Sequence, residues 1–187
     1  MKVEETKLKG CFIIHDTVFK DDRGYFFESF NQQRFESLTG TKVNFVQDNQ
    51  SKSTKGVLRG LHFQLGEYAQ TKLVRVLKGK VLDVAVDIRI DSSTFGEYVA
   101  TELSEDNFTQ FFIPRGFAHG FKVLSDEAIF FYKCDNFYNK ASEGGIIYND
   151  ASININWGTS ETENILSEKD KLLPTLNEIR HTLHFQL

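Results

Sequence analysis

The sequence predicts an antiparallel all-β protein, a sandwich or barrel with little helix. Three observations carry that expectation. Between Gly10 and about Trp157, short apolar and aromatic runs follow one another with turn residues between them, and only one stretch there has helical spacing. Phenylalanine occurs 18 times against one tryptophan and one methionine, as expected where pleated faces pack on each other. Only two prolines, Pro114 and Pro174, remove a backbone donor that a strand would need.

The elements follow in order. Residues 11–15 open the series, and 21–24 form a turn leading into a strand over 25–30. Residues 31–38 are the early helix: Asn31 can cap it, Phe35 and Leu38 share a buried face, and Gly40 can close it. Residues 43–49 return to extended structure, and 57–64 form a further strand. A hairpin is expected from 72–77 through Lys78, Gly79 and Lys80 into 81–88. Shorter strands follow at 98–103, 110–113, 120–124 and 128–133, and a short helical tail begins after Ser167. No linker, repeat or low-complexity tract divides residues 1–187, so one domain is expected.

The pattern of polar residues inside strands points to a site. On the strand over 57–64, Leu58, Gly60, His62 and Gln64 share one face, opposite Val57, Arg59, Leu61 and Phe63. A strand that only filled a core would not carry an imidazole and an amide there. The segment 113–121 repeats the habit around His119. With Arg59, Lys72 and Tyr132 near in sequence to these strands, a polar pocket within the β-structure is the reading. On 81–88, Leu82, Val84, Val86 and Ile88 make an apolar face, while Asp83 and Asp87 share the other with Val81 and Ala85. That second face meets either solvent or a cavity, and in the latter case Asp83 can orient a cation or a sugar hydroxyl.

Composition sets bounds on function. A hydrophobic fraction of 40% over 187 residues supplies a real core. The formal net charge of -4, with both signs mixed, argues against a nucleic-acid surface, which needs a basic stripe. Two cysteines, Cys11 and Cys134, are too few for a disulfide framework and lack metal-ligand spacing, so buried thiols in a reducing compartment are expected. The first residues carry no apolar signal segment, and no apolar run approaches the roughly 18 residues of a membrane span. A cytoplasmic chain is expected. His181 and His184, one turn apart if helical, can touch a metal or lie on a solvated face.

A set of motifs then occurs in one order: DRG at 22–24, FVQDN at 45–49, VLRGLH at 57–62, QTKLV at 70–74, IPRGFAHGF at 113–121 and EGGI at 143–146. ND at 149–150, Trp157 and LSEKD at 166–170 complete it. Through these the chain resembles the dTDP-4-dehydrorhamnose 3,5-epimerases over nearly everything from Gly10 to about Leu176. The resemblance implies a cupin-type antiparallel β-barrel or jelly roll with a few short peripheral helices. It implies a substrate, a dTDP-linked 4-keto-6-deoxy hexose, whose C4 ketone acidifies the protons on C3 and C5. It also implies a catalytic set. His62 is the base, and Asp170 orients it. Lys72 stabilises the enolate, and Tyr132 is the acid on the opposite face of the ring. Plain structural readings stand beside these: Asp170 closing a helix start at Ser167, Lys72 at a strand end in solvent, Tyr132 packed in a strand.

Binding positions carried by the same resemblance are Arg23, Glu28, Gln47, Asp48, Asn49, Arg59, Lys72, His119, Tyr138, Glu143 and Lys169. Arg23, Arg59 and His119 suit an anionic diphosphate, and Tyr138 a thymine ring. The family pairs as homodimers, and exchange of an early strand carrying Arg23 and Glu28 would put them in the neighbour's site. No metal and no cofactor is implied, since only His62 and His119 fall in the relevant regions. A C3-only epimerase and a 3,4-ketoisomerase on the same sugar remain open, as does a non-catalytic nucleotide-sugar-binding cupin. The segment after Arg180 lies beyond the resemblance and reads as a poorly ordered end.

Overall fold

The computed structural model describes residues 1–158 and 164–186 of the chain. Two antiparallel sheets face each other. The first runs in the order β1 (Lys2–Glu5), β2 (Phe12–His15), β10 (Thr109–Ile113), β7 (Lys72–Lys78), β12 (Glu127–Cys134) and β5 (Gln47–Thr54). The second runs β13 (Glu143–Gly145), β6 (Leu58–Gln64), β11 (Phe117–Val123), β8 (Lys80–Asp87) and β9 (Tyr98–Ser104). A separate hairpin joins β3 (Phe19–Asp21) and β4 (Gly24–Phe26). The architecture is a jelly-roll sandwich; its sheets do not close into a continuous barrel.

Three apolar layers hold the sandwich. The central one, between the sheets, contains Val74, Val76, Val81, Ala85, Phe111, Phe117, Phe121 and Phe130. A second lies on the outer face of the five-stranded sheet, where Val84, Val86 and Ile88 meet Ile146, Trp157, Leu176 and Leu183 from the C-terminal segment. The third covers the other sheet: Phe35 of α1 (Gln32–Thr39) packs on Phe12, Leu73 and Phe112. The helix forms with the expected caps, but its last turn faces outward: Phe35 is buried while Leu38, expected on the same buried face, is 48% exposed. Asn31 accepts from the Arg34 amide at 3.0 Å, and Gly40 ends the helix at φ 68°.

Several expectations needed correction. Residues 72–88 do not make a hairpin: β7 pairs with β10 and β12, while β8 pairs with β11 and β9. The turn at Gly79 carries the chain from one sheet to the other. The reason is visible in β8, which is buried along both faces and so needs strands beside it and layers above and below. The strand over 25–30 ends at Phe26, and the extended run over 43–49 becomes regular only at Gln47, continuing to Thr54. That continuation is polar throughout and was not legible as a strand, because β5 is an edge with one partner. The end after Arg180 is tied down. The Gly66 amide donates to the His184 carbonyl at 2.9 Å, the Gln186 amide to Gly66 at 3.1 Å, and Leu183 is buried. His181 lies in a 3-10 turn, Arg180–Thr182, and His184 lies beyond it, so no common helix turn presents them. Among the described residues no helix is long and apolar enough to cross a membrane.

One irregularity positions the site. His119 stands opposite His62 and Phe121 opposite Arg59, so Gly60 and Leu61 together face the single residue Gly120. This is a β-bulge, and it resets the alternation of side chains along β6. Arg59, expected on the face away from His62, therefore lines the same cavity. Gly60 adopts φ 112°, and a Cβ there would lie 2.7 Å from both the Gly120 Cα and the His119 oxygen. A Cβ on Gly120 would lie 2.7 Å from the Arg59 carbonyl oxygen. Gly120→Ala is accordingly expected to lower stability by about 1–3 kcal/mol, as overpacking against backbone does. Chemical denaturation of both proteins checks it, and an unchanged midpoint would mean the two strands can part without cost.

Candidate active site

A cavity of about 490 Å³ opens between the sheets, with β6 and β11 on one wall, β5, β7 and β12 on the other, and residues 165–170 at its rim. His62 lines it, and its Nε2 lies 2.7 Å from Asp170 Oδ1. Asp170 sits in α2 (Glu168–Lys171) and is buried, while its backbone amide donates to Ser167 Oγ at 3.1 Å. Ser167 thus caps the helix and the Asp170 carboxylate is turned toward the imidazole. Burial pushes that carboxyl up, but the His62 hydrogen bond and charge, with the Gly60 amide and Ser167, outweigh it and hold Asp170 below its ordinary value.

Tyr132 comes from β12, in the opposite sheet, and lines the same cavity. Burial pushes its phenol up to about 12. Lys72, the first residue of β7, brings its ammonium to 5.9 Å from the centre of the Tyr132 ring. Burial lowers its affinity for a proton, only partly offset by Cys134, Asp83 and Glu143. Among the described residues it has no carboxylate at ion-pair distance, so the amine stands on the cavity wall without a direct ion-pair partner.

The expected binding residues divide into three groups. Asn49, Arg59, His119 and Lys169 line the cavity itself. Arg59 Nε donates to Ser53 Oγ at 3.1 Å, which anchors the guanidinium through one nitrogen. His119 is buried, with Nε2 at 2.9 Å from Asp83 Oδ2, and burial lowers its pKa. A second group makes a chain along the rim. Lys169 pairs with Glu143 at 2.6 Å, and the exposed Tyr138 donates its hydroxyl to Glu143 at 2.9 Å. The Tyr138 amide donates to Gln47, whose own amide reaches Asn49 at 3.1 Å.

The third group stands apart. Asp48 points outward and pairs with Lys133 at 2.9 Å. Arg23 lies at the tip of the β3–β4 hairpin, 90% exposed and paired with Asp21, and Glu28 follows β4 and pairs with Arg34. Neither reaches this chain's own cavity, and neither lies within a strand as expected. Asp83 was the residue left open in the sequence. It is fully buried beside His119, and the signal that could have found it was its place between Val81 and Ala85 on one strand face. Cys11 and Cys134 are both unpaired and buried. Among the described residues no cluster of three or more His, Cys, Asp or Glu is arranged to hold a metal ion.

Geometrically, this is a pocket with an oriented imidazole on one sheet, a high-pKa phenol on the other and a cation at one wall. It can lift a proton from carbon beside a carbonyl and return one to the opposite face. Comparison with known proteins agrees. A family model described as dTDP-4-dehydrorhamnose 3,5-epimerase matches residues 5–178. A relative of that name from Shigella flexneri is 58% identical over 170 residues, covering 91% of this chain and 93% of the relative. The solved dTDP-4-dehydrorhamnose 3,5-epimerase of Elizabethkingia anophelis NUHP1 is 57% identical with a TM-score of 0.92, over 95% of this chain and 97% of that one. A dTDP-6-deoxy-D-glucose-3,5-epimerase from Legionella pneumophila Philadelphia 1, solved with dTDP-4-keto-L-rhamnose, is 47% identical with a TM-score of 0.94, over 100% of this chain and 99% of that one. The chain belongs to the dTDP-4-dehydrorhamnose 3,5-epimerase family of isomerases.

Proposed function

We propose that the chain inverts C3 and C5 of dTDP-4-keto-6-deoxy-D-glucose by proton transfer, giving dTDP-4-keto-L-rhamnose for dTDP-L-rhamnose biosynthesis. The observation that carries this is the 2.7 Å His62–Asp170 pair facing Tyr132 across one cavity. In this reading His62 abstracts the proton, and Asp170 fixes its tautomer and steadies the imidazolium that forms. Lys72 stands where negative charge develops on the C4 oxygen, in a setting of low dielectric where one cation counts most. Tyr132 gives a proton to the far face. An enolate is a strong enough base to take a proton from a phenol of so high a pKa. Arg59 and Lys169 hold the diphosphate, and Tyr138 stacks on thymine. Gln47, Asn49 and Glu143 complete the contacts, while Asp48 braces β5 on β12 through Lys133. Two unpaired buried thiols agree with a reducing cytoplasm.

Arg23 and Glu28 act, in this reading, in the cavity of a second copy, in a homodimer that exchanges the early hairpin. Phe19 and Phe26, 64% and 70% exposed on that hairpin, supply apolar surface that wants a cover. Hybrid dimers test it. A dimer of one Arg23→Ala and one His62→Asn subunit keeps one intact site if Arg23 serves its neighbour, and none if it serves its own chain. Recovered turnover is the expected result; two dead parents giving a dead hybrid would sink the exchange.

The reaction itself is read by NMR after incubation in D₂O. Deuterium is expected at both C3 and C5. Label at C3 alone would make the chain a C3 epimerase, a displaced carbonyl would make it a ketoisomerase, and no label would leave a binding protein. His62→Asn and Tyr132→Phe are each expected to lower kcat by about 10² to 10⁴-fold with the fold retained by circular dichroism. With its phenol near 12, Tyr132 stays protonated well above neutrality. The pH profile of kcat between 6 and 9 should therefore keep its shape in Tyr132→Phe while falling in height; a limb that disappears with the hydroxyl would contradict that.

A further inference from the structure

Asp83 and His119 are diagonal neighbours on adjacent strands, since Asp83 stands opposite Phe121 and Ala85 opposite His119. Asp83 is wholly buried, and both its oxygens lie within hydrogen-bond distance of His119 Nε2, at 3.1 and 2.9 Å. An ionised carboxylate only accepts, so the ring proton sits on Nε2. The ring plane is fixed as well: Phe130 stacks on it at 6.0 Å, and Phe121 on Phe130 at 4.1 Å. The remaining nitrogen, Nδ1, has no partner among the described residues, is not one of the sealed unpartnered atoms, and belongs to a ring that lines the cavity.

We infer that Asp83 is a positioning residue that holds His119 with its proton on Nε2, leaving Nδ1 as a bare acceptor for the C2 hydroxyl of the sugar. The identity of the sugar rests on the proposed function; the state of the imidazole does not. Burial disfavours the imidazolium more than Asp83 favours it, and Lys72 and His62 add to the opposition, so the ring is neutral. A neutral lone pair has nothing to offer a phosphate oxygen, which also presents only lone pairs. A hydroxyl can donate to it. This gives His119 a different task from the diphosphate contact that resemblance implied.

Among the ring hydroxyls, C2 is the one this acceptor suits. His119 faces His62 directly across the paired strands, so it meets the ring beside the carbon being deprotonated. The C3 hydroxyl changes direction when C3 inverts, and a fixed acceptor would lose it midway. The C2 hydroxyl keeps its configuration through both inversions and can serve as a constant handle.

Two measurements decide the matter. In ¹⁵N-histidine NMR of the wild-type protein near neutral pH, one ring lost in His119→Gln should show a protonated Nε2 and an unprotonated Nδ1. A protonated Nδ1 or a cationic ring would overturn the inference. In Asp83→Asn, the amide can donate to Nε2 and drive the proton to Nδ1, as the same exchange does in the Ser-His-Asp triad. Its kcat/KM for the dTDP-keto sugar should fall by roughly tenfold or more, with almost no fall for the 2-deoxy analogue. Equal losses on both sugars, or no loss on either, would count against it. Should that variant fail to fold, the wild-type protein must still prefer the parent sugar over its 2-deoxy analogue by roughly tenfold. A wild-type protein that exchanges no deuterium at all would remove the epimerase reading and leave the NMR result standing by itself.

Discussion

Two strands approach each other at Gly60 and Gly120 more closely than side chains allow, and the geometry of the site follows from that contact. Because β6 uses two residues there against one of β11, the direction of its side chains resets, and Arg59 joins His62 on the cavity wall. The same irregularity turns the Gly60 amide toward Asp170, where it helps keep the carboxylate ionised. A guanidinium, an imidazole and the carboxylate paired with that imidazole are thus set by one departure from regular pairing. Bulges beside active sites commonly re-aim side chains in this way.

The second constraint is the sandwich itself. His62 on one sheet and Tyr132 on the other line one cavity from its two walls. The central aromatic layer fixes the spacing of the sheets, so the separation between the imidazole and the phenol is a property of the core and not of flexible loops. Burial then tunes the groups in contrasting ways. It raises the phenol and lowers the ammonium, while the Asp170 carboxylate is held ionised by the hydrogen bonds that reach it.

Much of this was legible in the residues. The all-β class, the capped helix at 31–38 and the polar strand bearing His62 follow from spacing and composition alone. Pairing was harder. The hairpin expected over 72–88 looks ideal locally, and only the burial of both faces of β8 reveals that its neighbours come from elsewhere in the chain. The bulge was hidden because glycine at 60 fits a strand, a turn or a kink equally well, and its meaning depends on Gly120 sixty residues on. Polar β5 carried no periodic signal, being an edge. Asp83 was visible as an acid among apolar neighbours, but its orientation toward His119 depends on the register of β8 with β11. The motifs carried the resemblance; they did not carry the geometry that makes Arg23 and Glu28 stand outside their own chain's cavity.

The C-terminal segment grips β6 along its whole length: Ile165 bridges to Val57, Asp170 to His62, and Phe185 to Gly66. On a ribosome His62 is therefore made 108 residues before the carboxylate that pairs with it. A nascent chain, or one nicked before these residues, carries an imidazole with nothing to steer it and a β-sheet face left bare. The imidazole is in this way held by a residue more than a hundred positions downstream of it in the chain.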